Sequence, residues 1–126
     1  MEKFFYKKKL IGIRHNNFTS GVTALTGPTS SLQILALKHP KNKKTAPHFH
    51  RAIRRTTNHL QECVIVTKGK ITIDLYGSDN KHFKKLHLKT GELFTLIDGG
   101  HALTVNEDAE IFEIKNGPFK NDRVNI

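Results

Sequence analysis

The sequence has one cysteine, Cys63, and no tryptophan, and no stretch approaches the roughly 20 consecutive apolar residues of a membrane-spanning helix. A single cysteine excludes an intramolecular disulfide and a thiolate-rich metal site. The apolar run from Leu10 to Ile13 is too short for the core of a signal peptide. The sequence therefore predicts a cytoplasmic protein without a membrane partner.

Acidic residues are scarce, since 11 Asp and Glu face 21 Lys and Arg and the net charge is +10 at pH 7. Such an excess is typical of proteins that bind nucleic acid, an anionic membrane surface or an acidic small molecule. The lysines stand in short clusters such as KKK at 7–9, mostly where turns are expected, and lack the interleaved aromatic residues of a base-stacking platform. We therefore expect a solvated basic surface and no nucleic-acid partner.

Helical periodicity is also nearly absent, and short apolar or alternating runs dominate instead. With 126 residues the chain is long enough for one domain with a core of Ile, Leu, Val and Phe. Turn-forming segments such as GPTSS, GSDN and DGG separate the candidate strands. These strands are residues 9–14, 32–37, 62–67, 71–76, 85–88, 93–97, 102–105 and 110–115. Their spacing predicts an all-β sandwich or barrel.

The segment TAPHFHRAIRRTTNHLQE contains the first candidates for a metal site. On an extended strand His48 and His50 point to the same side about 6.6 Å apart, so both imidazoles can reach one ion. Glu62 opens a strand whose same-side neighbours are apolar, and a carboxylate there is costly unless it is paired or bound to metal. His101 opens another strand after a Gly-Gly turn. These four side chains would hold one divalent ion of the Fe, Mn, Ni, Co or Zn kind and leave coordination positions open.

The same segments resemble the two motifs of the cupin superfamily, G(X)5HXH(X)3-4E(X)6G and G(X)5PXG(X)2H(X)3N. His48-Phe49-His50 matches the HXH, and Glu62 is followed after six residues by Gly69. The matches to the second motif are Gly91, Gly99, His101 and Asn106. The spacing departs from the motifs, since eleven residues separate His50 from Glu62 and Ile97 stands where proline is usual.

The resemblance covers roughly residues 30 to 118 and implies a double-stranded β-helix, or jelly-roll barrel. It divides the single cupin domain into an N-terminal arm (1–30), a barrel (31–118) and a C-terminal tail (119–126). It also implies that His48, His50, Glu62 and His101 bind one divalent metal ion. Small cupins are commonly dimers, so we expect a homodimer in which a strand from FFYKKKLIGI pairs with the partner's sheet edge.

Three basic side chains are candidates for contacts with the substrate. The insertion RAIRRTTNHLQ joins two presumed ligands and must pass near the rim of the pocket. Its Arg54 and Arg55 either offer forked donors to a phosphate or carboxylate or belong to a hydrated loop. Lys115 either holds an anion inside the barrel or forms an exposed pair with Glu113, and the resemblance favours the first.

The ending EIKNGPF, together with DGGH, is similar to small stand-alone bacterial cupins, many of them associated with cell-surface sugar pathways. We therefore expect a metal-dependent enzyme that isomerises or epimerises a small anionic carbohydrate-like substrate, with the metal as Lewis acid. An Fe(II)-dependent dioxygenase and a non-catalytic small-molecule-binding protein are the alternatives. No catalytic residue is assigned.

Overall fold

The computed structural model describes residues 1–126 and consists of eight β-strands without any helix. The strands are β1 (Glu2–Tyr6), β2 (Lys9–His15), β3 (Gly21–Ala24), β4 (Leu35–Lys38), β5 (Glu62–Tyr76), β6 (His82–Lys89), β7 (Leu93–Leu96) and β8 (Gly100–Lys115). No helix long and apolar enough to cross a membrane is present. The all-β class predicted from the sequence is confirmed.

β5 is the central strand of a six-stranded antiparallel sheet. β8 pairs with one edge of β5 along its full length. The other edge pairs with β7 at residues 62–65 and with β6 at residues 70–76. β2 and then β1 follow beyond β7. A separate two-stranded sheet is formed by β3 and β4.

The sheet curls strongly into a half-barrel because β5 and β8 bend together near Gly69. The pairing of the two strands shifts register between Val66 and Ile71, as expected for β-bulges that bend a strand. Gly69 has φ of +78°, and a Cβ there would overlap the carbonyl oxygen of Asp108. On the other edge, Gly91 N donates to Val66 O over 2.8 Å and fixes the bend from that side.

This bend explains why eight predicted strands differ from the eight observed ones. Residues 62–67 and 71–76 are the two halves of β5, and residues 102–105 and 110–115 belong to β8. The polar residues between the halves therefore form bulges and not loops. β1 and β3 are additional strands that the sequence did not predict. The turn from β1 to β2 uses Lys7 and Lys8 with φ of 46° and 68°. Such a turn usually carries Asn-Gly, so no turn signal marked it.

Eleven buried apolar side chains fill the inside of the curl. They come from both halves of β5 and from β1, β2, β6 and β7: Phe4, Ile11, Val64, Val66, Ile71, Ile73, Leu75, Leu86, Leu88, Phe94 and Leu96. No residue of β8 is buried, and its outer edge pairs with no other strand. β8 covers the core only through Ala109 and Ile111, which are partly buried against it.

Candidate functional site

The bend brings together three of the predicted site residues, Glu62, His101 and Lys115. In the β5–β8 ladder Glu62 pairs with Lys115, whereas His101 pairs with Leu75 at the far end of β5. In a straight strand these two positions would lie about 40 Å apart. In the half-barrel, His101 Nε2 lies 3.0 Å from Glu62 Oε2. The curl of β5 and β8 permits this contact, and the pairing of Glu62 with Leu96 at the end of β7 places His101, five residues later, on the same side.

Both carboxylate oxygens of Glu62 are occupied by basic side chains. His101 Nε2 contacts Oε2, and Lys115 Nζ lies 2.5 Å from Oε1. Lys115 Nζ also lies 2.8 Å from Glu113 Oε1. Glu62 is 7% exposed, so its charge is paired where water cannot solvate it well. The four side chains form a compact polar cluster, hereafter the Glu62 cluster.

These contacts fix the charges of Glu62 and Lys115 at neutral pH. The hydrogen bond from His101, followed by that from Lys115, lowers the pKa of Glu62 to about 2 against the opposing effect of burial. The hydrogen bonds to Glu113 and then to Glu62 raise the pKa of Lys115 to about 12. Glu62 is therefore anionic and Lys115 cationic over the whole physiological range.

Asn116 ties the chain before Glu62 to the end of β8. Its Oδ1 accepts a hydrogen bond from Gln61 N at 2.8 Å. Its Nδ2 donates to Thr57 Oγ1 at 3.1 Å and to His59 O at 3.2 Å. Because Asn116 follows Lys115 directly, this anchor holds the start of β5 beside the Glu62 cluster.

A cleft of about 600 Å³ adjoins the cluster between residues 57–60 and 115–123. Most of the residues that line it are polar, and the charged ones are Lys115, Lys120, Asp122 and Arg123. Lys115 is already paired with Glu62 and Glu113, so Lys120 and Arg123 against Asp122 leave the cleft an excess of one positive charge, which favours anions. Lys115 belongs both to this cleft and to the Glu62 cluster and connects the two.

The other four predicted site residues lie outside the cluster. His48 and His50 are neighbours, with ring centroids 5.2 Å apart, but they lie on an exposed segment without secondary structure. Arg54 and Arg55 lie on the same segment, where Arg55 Nη1 donates to the backbone oxygen of Ile53 at 3.2 Å. Every residue from Leu37 to Leu60 is exposed. The structure therefore separates the four predicted metal ligands into two pairs, His48 with His50 and Glu62 with His101.

The structure brings together half of the predicted donor set for a divalent ion. The carboxylate of Glu62 and the imidazole of His101 converge from two strands and are oxygen and nitrogen donors suited to Fe, Mn, Ni, Co or Zn. No group of three or more His, Cys, Asp or Glu side chains comes together. A complete site would need His48 and His50 to approach and Lys115 to leave Glu62 for Glu113.

Three residues of the site were missed by the sequence analysis: Asn116, Lys120 and Arg123. Asn116 lies in EIKNGPF, which carried the resemblance, but its role depends on contacts with residues 57–61 that spacing cannot reveal. Lys120 and Arg123 lie in the predicted tail and line the cleft. Cys63, which follows Glu62 on β5, is buried, and burial raises the pKa of its thiol.

Comparison of the chain with protein-family models, with curated proteins and with solved structures finds no match.

Proposed function

We propose that this protein is a metal-binding enzyme of the cupin type that isomerises or epimerises a small anionic carbohydrate-like molecule. The observation that carries the proposal is the buried carboxylate of Glu62, held by His101 and by Lys115, which also lines the neighbouring cleft. Perturbed ionisable groups beside a cleft are typical of functional sites. In the proposed complete form, residues 31–118 close into a double-stranded β-helix.

The exposed segment allows the metal site to be completed. His50 precedes Glu62 by twelve residues, which can span up to roughly 40 Å when extended. Residues 39–56 form no hydrogen bond with any other part of the chain, so little resists their movement toward the sheet. In the proposed complete site His48 and His50 join Glu62 and His101 around one divalent ion.

Basic side chains of the chain would attract and bind the anionic substrate. When bound, a divalent ion supplies Lewis-acid polarisation of a carbonyl or hydroxyl oxygen. Lys115, paired with Glu113 once it leaves Glu62, stays charged and can hold a phosphate or carboxylate of the substrate. Lys120 and Arg123 raise the local concentration of anions at the entrance. Arg54 and Arg55 approach the same entrance if their segment folds onto the sheet.

The substrate class predicts how single charge removals affect binding. A charge-assisted bond to an anion contributes about 1.5–3 kcal/mol, so removal of one contributing arginine weakens binding of a phosphorylated sugar about tenfold to a hundredfold. We expect this loss in Arg54→Ala, Arg55→Ala and Arg123→Ala. Titration calorimetry of metal-loaded protein with phosphorylated and unphosphorylated forms of the same sugar measures it.

Lys84→Ala is the matched control, because Lys84 is exposed on β6 and does not line the cleft. It should bind both sugars like wild type, and all four variants should keep their metal content. Equal affinity of wild type for the two sugars would rule out recognition of the anionic group. Unchanged affinity in Arg54→Ala and Arg55→Ala alone would restrict recognition to the cleft residues.

A further inference from the structure

The exposed segment that precedes Glu62 is strongly basic. Residues 38–55 include seven lysines and arginines and no acidic residue, and none of the seven forms an ion pair. Glu2 is the only acidic residue before Glu62. Residues 39–60 belong to no strand, and all of them are exposed. Residues 38–55, hereafter the basic segment, therefore present positive charge to solvent that no group of the chain neutralises.

A cleft of about 450 Å³ opens where the basic segment leaves the β3–β4 hairpin. The first residue of β3, Gly21, pairs with the last residue of β4, Lys38, so residues 16–18 come to lie beside the end of β4. Phe18 and Leu37 are 47% and 54% exposed. The cleft, hereafter the Phe18 cleft, is lined by Asn16, Asn17, Phe18, Leu37 and Lys38. It thus joins an accessible aromatic ring to the first lysine of the basic segment.

The wall of the Phe18 cleft is anchored to buried polar residues of the sheet. The ring of Phe18 meets that of His15 edge-on, with centroids 5.2 Å apart, and His15 is 6% exposed. Asn16 Nδ2 donates to Glu92 Oε1 at 3.1 Å, and the other oxygen of this buried carboxylate accepts a backbone hydrogen bond from β6 at 3.0 Å. Asn16 Oδ1 and the side-chain amide of Asn17 make no hydrogen bond within the chain. The cleft therefore combines a fixed ring with free amide groups.

The groups of the cleft are those that bind a nucleotide. A side-chain amide both donates and accepts hydrogen bonds, as the edges of the bases do, and a base stacks on an aromatic ring while a lysine contacts its phosphate. The lysine clusters lack interleaved aromatic residues in the sequence, and this predicted no nucleic-acid partner. The pairing of β3 with β4, however, brings Phe18 to Lys38, twenty residues later in the chain. Phe49, which is 86% exposed, lies within the basic segment itself.

We propose that the Phe18 cleft and the basic segment together bind single-stranded nucleic acid, with one base stacked on Phe18 and the neighbouring phosphates along residues 38–55. A single strand is favoured over a duplex, because its bases are free to stack and the segment offers no helix or ribbon that could enter a groove. When extended, the segment spans up to roughly 60 Å and can follow several nucleotides. The inference goes beyond the proposed function and does not rest on it, since neither Glu62 nor His101 takes part.

Salt-dependent fluorescence anisotropy with a labelled thymidine oligonucleotide of about 12 nucleotides tests the role of the basic segment. Wild type should bind with a Kd of about 1–100 µM at physiological salt. Each contact between a lysine and a phosphate of a single strand contributes about 0.7 to the slope of log K against log salt. Lys43→Ala/Lys44→Ala should therefore make this slope shallower by about 1.4.

Lys81→Ala/Lys84→Ala is the charge-matched control, because both lysines are exposed beside or on β6 and form no ion pair. This variant should keep the wild-type slope. Absence of binding by wild type would overturn the inference. An equal loss of slope in the two double variants would also overturn it, because binding would then follow the net charge and not the basic segment.

An abasic strand of the same length and charge tests the base site in the Phe18 cleft. Wild type should prefer the thymidine strand by about 5- to 150-fold, the usual effect of one base stacked on an aromatic ring. Phe18→Ala should lose this preference and keep the salt slope, whereas Phe18→Tyr should retain both. Phe5→Ala, which removes a 56% exposed ring on β1, should behave like wild type. Equal wild-type affinity for the two strands, or a preference that survives in Phe18→Ala, would overturn the inference.

Discussion

Replacement of Gly69 by alanine is expected to lower the free energy of unfolding by about 2–5 kcal/mol and to abolish metal binding. The residue has φ of +78°, which costs an alanine about 1–2 kcal/mol, and the added Cβ would overlap the carbonyl oxygen of Asp108 on β8. Relief of the overlap requires the two bent strands to separate. Because this bend helps to bring Glu62 to His101, the ligands should separate with it.

Gly91→Ala is the control that measures the cost of backbone strain without steric overlap of the added Cβ. Gly91 has φ of +87°, but a Cβ there would have no atom within 4 Å. Its cost should stay near 1–2 kcal/mol, and metal content should not change. Denaturant unfolding of both variants measures the difference. Equal costs for the two replacements, with the metal retained by Gly69→Ala, would show that the bend does not assemble the site.

Glu62→Gln is expected to remove both a metal ligand and the main acid-sensitive contribution to stability. The pKa of Glu62 is about 2 in the folded protein against 4.5 ordinarily. A carboxyl with a lowered pKa stabilises the fold fully above its unfolded pKa, and this contribution disappears as the pH falls from about 4.5 to 2. The shift corresponds to up to about 3 kcal/mol. In the glutamine variant His101 and Lys115 lose their charged partner, and stability should change much less over this range.

Urea unfolding between pH 3 and 7 in the presence of a chelator measures this contribution without bound metal. Glu107→Gln is the matched control, since Glu107 lies 2.6 Å from Lys70 Nζ but both side chains are more than half exposed. Exposed ion pairs contribute about 0–1 kcal/mol, so this variant should keep the wild-type dependence on pH. Identical pH profiles for Glu62→Gln and wild type would contradict the assigned role of Glu62.

The sequence predicts the strands better than their connections. Alternating apolar residues locate both halves of β5, because the burial of Val64, Val66, Ile71 and Ile73 has the period of a strand. The same pattern cannot show that the two halves are continuous. Whether KGK forms a loop or a bulge depends on pairing with β8, almost forty residues later in the chain. Long-range pairing also decides that residues 39–60 remain outside the sheet.

The sequence likewise predicts residues of the candidate site better than it predicts the contacts among them. The costly position of a carboxylate among apolar neighbours predicts that Glu62 is paired, and His101 is one of its observed partners. Lys115 was predicted near an anion of the substrate, and in the structure it contacts the protein's own carboxylate. Spacing in the sequence cannot show whether Lys115 contacts a substrate anion or Glu62. The answer depends on which side chains the bend brings close to Lys115. The cationic cleft depends likewise on the path of residues 116–123.

X-ray absorption spectroscopy of the metal-loaded protein, combined with elemental analysis, tests the proposed site most directly. We predict about one divalent ion per chain with a shell of imidazole nitrogens from three histidines and one carboxylate oxygen, at about 2.0–2.2 Å for a zinc-sized ion. His48→Ala/His101→Ala should lose the metal, and His39→Ala, which removes an exposed histidine at the start of the segment that carries His48, should keep it. Full occupancy in the double variant, or a wild-type shell without imidazole, would contradict the account.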